Sequence, residues 1–146
     1  MEIVKVTRDL AYADQPSFRE LRQLNKQGFR TVVNLRLPTE QLSDEAAEAE
    51  RAGLRYVRVP IAQPSWSEEQ LDAVAQALKS PRSRPALIHS AEGARAGIVA
   101  LTLHAAEEGW TMHELERVGQ TLGLDVPNAA LDWLRRHSAI YLRAGV

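Results

Sequence analysis

Apolar and polar positions along this chain change period repeatedly, and the changes mark out alternating strands and helices. Residues 3–6 alternate like a strand, and residues 10–13 make a second short apolar run before the turn Asp14-Gln15-Pro16. Ser17-Phe18-Arg19-Glu20 has the spacing of a capping box, followed by Leu21 and Leu24 on one helix face, with Gly28 as the stop. Residues 31–35 are a β-branched run fit for a buried parallel strand. Its C-terminal end delivers Asn34 and Arg36 to the side of the sheet where open α/β proteins bind ligands. An acidic, alanine-rich helix over residues 44–52 closes at Gly53, and a third strand of this alternating part follows over residues 54–59. Its pattern leaves open whether Tyr56 and Val59 or Arg55 and Arg58 face solvent. A proline-punctuated loop, residues 60–66, leads to a second capping box, Ser67-Glu68-Glu69-Gln70, which opens a helix through Leu78.

Pro81 and Pro85 bracket a basic loop containing Arg82 and Arg84, and residues 86–88 have the length and apolarity of another buried strand. Residues 96–106 carry helical spacing, with Ile98, Leu101 and Ala105 among the apolar positions. Gly109 stops that helix, Thr111-Met112-His113-Glu114 caps another, and Gly119 and Gly123 interrupt the chain beyond it. A last helix starts at Pro127 or Asn128 and aligns Ala130, Leu134, His137 and Tyr141 on one stripe. Strands alternating with helices predict an α/β class: one central, mostly parallel sheet of four to five strands, helices on both faces, and a C-terminal helix cluster.

At 146 residues the chain fits a single domain, residues 1–146, with enough core to need neither metal nor disulfide support. It contains no cysteine, so thiolate metal sites are excluded, and His89, His104, His113 and His137 show no ligand spacing. No metal and no cofactor are expected. Eighteen basic and nineteen acidic residues give a net charge of −1, so neither a nucleic-acid groove nor a membrane surface is suggested. The chain starts without the long apolar stretch of a signal peptide, which makes a cytoplasmic location the expectation. Any preference for anions must be local.

One stretch offers that locality. Between the apolar run and the helix lies His89-Ser90-Ala91-Glu92-Gly93-Ala94-Arg95, a tight loop that must reverse direction within a few residues. A loop opening a helix has backbone N–H groups without intrahelical partners, gathered at the positive end of the helix dipole. The amides of Ala91, Glu92, Gly93 and Ala94 would cradle a phosphate or sulfate, and Arg95 would add a planar two-point clamp.

His89, Ser90, Gly93 and Arg95 resemble the H-C-x-x-G-x-R signature of the cysteine-dependent phosphatases and rhodaneses, with Ser90 where the cysteine nucleophile would stand. Only four residues separate Ser90 from Arg95, a spacing similar to a bacterial β-lactamase-hydrolase-like family of phosphatase or sulfurtransferase type. Ala13-Asp14-Gln15-Pro16-Ser17 and Gly28-Phe29-Arg30-Thr31-Val32-Val33-Asn34-Leu35-Arg36 resemble that family's Gln-Pro-Ser start and its strand ending in Asn-Leu-Arg. The resemblance runs from Ala11 to Leu124. It implies a phosphatase-like fold, a phosphomonoester or phosphorylated partner as ligand, catalytic positions at His89, Ser90 and Arg95, and accessory ones at Asn34 and Arg36.

The family's thiolate attacks phosphorus and becomes a cysteinyl-phosphate. A serine there, natural or introduced, silences the nucleophile and keeps the binding parts. The family's general acid corresponds to Ala62 here. Glu68, Glu69 and Asp72 are nearby carboxylates, but first-turn residues of the helix are the simpler reading for Glu68 and Glu69. The expectation is therefore a disarmed phosphatase-like protein or a binding module for a phosphorylated or sulfated partner. Sulfur transfer needs a cysteine sulfur and cannot run on this chain. A serine-hydrolase elbow would want glycine where Ile88 and Glu92 stand, and a Walker loop lacks its Gly-Lys-Ser/Thr.

Overall fold

Strands β1 (Ile3–Lys5), β2 (Leu10–Ala13), β3 (Thr31–Asn34), β4 (Arg55–Arg58) and β5 (Ala86–His89) form one sheet in the order β1-β2-β5-β3-β4. The computed structural model describes residues 1–40, 44–62 and 66–143; the middle of the proline loop, residues 63–65, lies outside them. Only β1 runs antiparallel to its neighbour, and the other three pairings are parallel. The central strand β5 is buried along its whole length between β2 and β3, as its unbroken apolar run requires. The register sets Ala13, His89 and Asn34 level at one edge, so the loops leaving β2, β5 and β3 emerge side by side.

Side chains alternate between two cores. Leu10, Val33 and Ile88 point to one face, under α4 (Ala94–Glu108), α3 (Glu68–Ala77), α5 (Met112–Thr121) and α6 (Asn128–His137). Ala11, Val32 and Leu87 point to the other, against Leu21 and Leu24 of α1 (Phe18–Lys26) and Ala49 of α2 (Glu45–Arg51). Helix α4 is buried almost all round, from Arg95 to Ala105, and so shows no polar stripe over that stretch. All three capping boxes form with both reciprocal bonds, at Ser17, Ser67 and Thr111, each worth about 1 kcal/mol.

The C-terminal cluster differs from the sequence pattern in two places. Gly119 does not interrupt α5: it lies inside the helix, where a Cβ would fall 2.8 Å from Val126 Cγ2 and 3.2 Å from the Leu124 carbonyl. Its missing side chain lets the returning chain cross closely, and the break comes at Gly123, where φ is +73°. The last helix is two helices, α6 and α7 (Ala139–Arg143), parted at Ser138, whose Oγ donates to the Trp110 carbonyl at 2.7 Å. That turn moves Tyr141 off the stripe and leaves His137 exposed. Trp133 takes the buried place beside Ala130 and Leu134.

On the edge strand β4, Arg55 and Arg58 are exposed and Tyr56 and Val57 half-buried. Trp133 is core, whereas Trp66 and Trp110 are half-buried against it. Among the described residues no helix is long and apolar enough to cross a membrane.

Candidate functional site

The chain leaves β5 at His89 and turns into α4 within four residues. The turn is possible because Gly93, the residue before the helix, takes φ +86°. A Cβ there would lie 3.4 Å from the Asp14 amide nitrogen, so glycine also serves the close passage of the loop over the end of β2. Ser90 is fully buried. Its Oγ accepts the N–H of Gly93 at 3.1 Å and of Ala96 at 3.2 Å, and its own N–H donates to the Ala13 carbonyl at 3.3 Å. Orphan amides at the entrance of a long helix therefore converge on the side chain of residue 90. Glu92 and Ala94 are exposed, and Ala91 and Gly93 half-buried.

Arg95, only 8% exposed, lies on the first turn of α4. Its Nη1 donates to Glu40 Oε1 at 2.9 Å and to the Ile61 carbonyl at 2.8 Å, and its Nη2 donates to Glu40 Oε2 at 2.8 Å. This is a bidentate fork on a carboxylate carried by the 3₁₀ turn Pro38–Glu40. The fork and the Leu37 N–H hold the Glu40 carboxyl below its ordinary value.

Beneath the loop lies a second carboxylate, Glu45, 2% exposed at the start of α2. Its Oε2 faces His89 Nε2 at 2.9 Å and accepts the Tyr56 hydroxyl at 2.7 Å. Its Oε1 accepts Gln15 Nε2 at 2.6 Å and Arg36 Nη2 at 3.3 Å. Burial pushes this carboxyl up, but the donors from His89, Tyr56 and Gln15 outweigh it and bring the pKa down to about 2. Burial, together with the Glu45 carboxylate, pushes the Tyr56 hydroxyl well above its ordinary value.

The sequence-predicted positions thus fall in two layers. Ser90, Ala91, Glu92, Gly93, Ala94 and Arg95 form the loop itself. His89 lies below it with Asn34 and Arg36, which are buried and spent on one another: Asn34 Oδ1 accepts the Arg36 N–H at 2.9 Å, and Asn34 Nδ2 donates to the Tyr56 hydroxyl at 2.8 Å. The buried Arg36 guanidinium also neutralises Glu45.

Of the carboxylates near the proline loop, Glu68 and Asp72 on α3 are engaged with α6. Glu68 pairs with Arg136, and Asp72 accepts Trp133 Nε1–H at 2.7 Å. Pattern reading missed Glu40 and Glu45. Glu45 sits in a helix whose composition reads as solvated, and no local signal betrays a buried carboxylate. Among the described residues no cluster of three or more histidines and carboxylates is disposed to hold a metal ion.

A strand, a loop whose amides close on a buried residue, and a helix carrying an internal arginine, set in this sheet order, define a phosphatase-like α/β protein. Residues 9–105 match the family described as a DSP-PTPase phosphatase fused to NAD+ kinase, and the chain belongs to that family. A β-lactamase hydrolase-like protein of Xylella fastidiosa is 34% identical over 83 residues, which cover 53% of this chain and 19% of that protein. The chain therefore spans about a fifth of that relative's length. Among solved structures, the phosphatase-like DUF442 protein of Shewanella putrefaciens CN-32 superposes with a TM-score of 0.76 at 19% identity, over 95% of this chain and 92% of the other. A Cys-to-Ser variant of TpbA from P. aeruginosa, in complex with pTyr, superposes with a TM-score of 0.72 at 20% identity, over 98% and 88% of the two chains.

Proposed function

We propose that the Ser90–Arg95 loop binds a phosphate-type oxyanion, and that the chain is a tyrosine-phosphatase-like protein whose hydrolytic chemistry Ser90 disarms. The observation that carries this reading is the way Arg95 spends its donors. A guanidinium has five N–H groups in a fixed plane. Glu40 and the Ile61 carbonyl take both hydrogens of Nη1 and one of Nη2. Among the described residues Nε–H and the second Nη2–H have no partner, and these two make the other bidentate edge of the fork. Glu40 fixes the plane from one side, so the remaining edge is oriented before any ligand arrives.

Ser90 supports binding rather than turnover. A hydroxyl has two acceptor lone pairs and one donor, and the Gly93 and Ala96 amides use the lone pairs. The hydroxyl proton is left to donate, and an oxyanion oxygen is a fitting acceptor. A thiolate in the same place would carry a negative charge against a dianion; the neutral hydroxyl does not. The cost is nucleophilicity, because a hydroxyl holds its proton far more tightly than a thiol and no base touches Oγ among the described residues. A phosphomonoester such as phosphotyrosine, or a phosphorylated or sulfated partner protein, fits this chemistry.

Two experiments test the reading. Calorimetric titration with inorganic phosphate should show binding that Arg95→Ala abolishes. Ser90→Cys should gain turnover of an aryl phosphate that the unsubstituted chain lacks. No phosphate binding by the unsubstituted chain, together with no turnover by Ser90→Cys, removes the proposal.

A further inference from the structure

We infer that Glu45 is a positioning residue for the oxyanion loop, acting through His89, an inference that rests on the oxyanion reading above. Four side chains from four separate segments donate to this one carboxylate: Gln15 after β2, Arg36 after β3, Tyr56 on β4 and His89 on β5. The residue before it, Asp44, is the one non-glycine among the described residues with positive φ, at +68°. A left-handed residue at the entrance of a helix costs of order 1 kcal/mol, and it makes no side-chain cap bond in return. Glu45 follows it directly as the first residue of the helix, buried under the loop.

His89 is the residue immediately before Ser90, and it has one anchor. Its Nε2 lies 2.9 Å from Glu45 Oε2, while its buried Nδ1 has no hydrogen-bond partner among the described residues. An ionised carboxylate only accepts, so Nε2 must carry the proton, and Glu45 alone sets the tautomer and the ring's orientation. His89 is the last residue of β5, so its buried ring sits at the base of the turn whose amides close on Ser90 Oγ, and a turned imidazole changes what supports that turn. Arg36 compensates the carboxylate charge without touching the loop. Glu45 is therefore placed to hold the loop's geometry while remaining clear of any ligand.

Nitrogen-15 NMR of the His89 ring, with phosphate calorimetry in parallel, separates positioning from bulk stability. In the unsubstituted chain the Nε2–H tautomer is expected. Glu45→Gln puts an amide where a carboxylate stood, and it should shift His89 towards the Nδ1–H tautomer and weaken inorganic phosphate binding about tenfold. Tyr56→Phe removes one donor to the same carboxylate; it should keep the tautomer and keep phosphate affinity within about twofold even as the melting temperature falls.

A folded Glu45→Gln protein with unchanged tautomer or unchanged affinity overturns the assignment, and so does a Tyr56→Phe protein that loses affinity as strongly. If Glu45→Gln does not fold, the unsubstituted chain decides: an Nδ1–H tautomer overturns the assignment, and an Nε2–H signal that moves on adding phosphate supports it. Failure of the unsubstituted chain to bind phosphate at all overturns the oxyanion reading instead, and the tautomer then decides on Glu45 by itself.

Discussion

Acidification isolates the Glu45 carboxylate as a stability element. Burial raises its proton affinity, but the donors around it lower the folded pKa from the ordinary 4.5 to about 2. Because the folded value lies below the unfolded one, the stabilisation is complete above pH 4.5 and is lost as pH falls towards 2. At about 1.36 kcal/mol for each tenfold change in proton affinity, the interval between the two values corresponds to about 3 kcal/mol. An independent route gives a similar figure: removing one partner from a buried ion pair, which strands Arg36 in Glu45→Gln, costs roughly 3–5 kcal/mol.

Urea denaturation followed by tryptophan fluorescence, at intervals from pH 7 to pH 2, measures both. The unsubstituted chain should exceed Glu45→Gln by about 3 kcal/mol at neutral pH, and the gap should shrink to under about 1 kcal/mol near pH 2. Exposed carboxylates titrate alike in the two proteins and cancel in the difference. A gap that stays constant across the range, or no gap at neutral pH, refutes the reasoning.

Glu40→Gln should weaken phosphate binding by roughly three- to tenfold, because Arg95 loses the charge-assisted fork that orients it; affinity equal to or tighter than that of the unsubstituted chain would show that Glu40 competes with the ligand. Ser90→Ala leaves the half-buried Gly93 N–H and the buried Ala96 N–H without an acceptor and should cost about 1–3 kcal/mol in chemical denaturation, so a neutral result would mean that the amides do not depend on Oγ. In Gly97→Ala the new Cβ would lie 2.9 Å from Tyr12 Cε2 and 3.0 Å from both Leu124 methyls. Overpacking of that kind should lower the melting temperature by on the order of 3–10 °C, and an unchanged calorimetric melt would show that Leu124 yields freely.

The parts of the fold that could be read from sequence are those specified by short-range chemistry. Three capping boxes, the β-branched run of β3 and the glycine stops need only neighbours in the chain, and each forms where the pattern puts it. Gly119 and the final helix misled because long-range packing decides them: Gly119 makes room for Val126, and Ser138 reaches back to Trp110. The candidate site divides in the same way. Its loop was visible because glycine, arginine and the strand-to-helix change lie within a few residues. Its two carboxylates were invisible because Glu40 meets Arg95 across 55 positions and Glu45 meets His89 across 44. A buried acid on an alanine-rich helix looks like a solvated one until the sheet brings its donors together.

That wide spread in the chain has a temporal consequence. The Glu45 contacts join residues 15, 36, 56 and 89 to one point, at separations of 30, 9, 11 and 44 positions. The two widest, from Gln15 and His89, are slow to form, since each requires closing a long loop. No partially assembled sheet can supply all four donors. The cradle should become competent only when the last parallel strand, β5, has docked between its neighbours. Phosphate capture would then appear in refolding as a late event, well after the capped helices have acquired their signal.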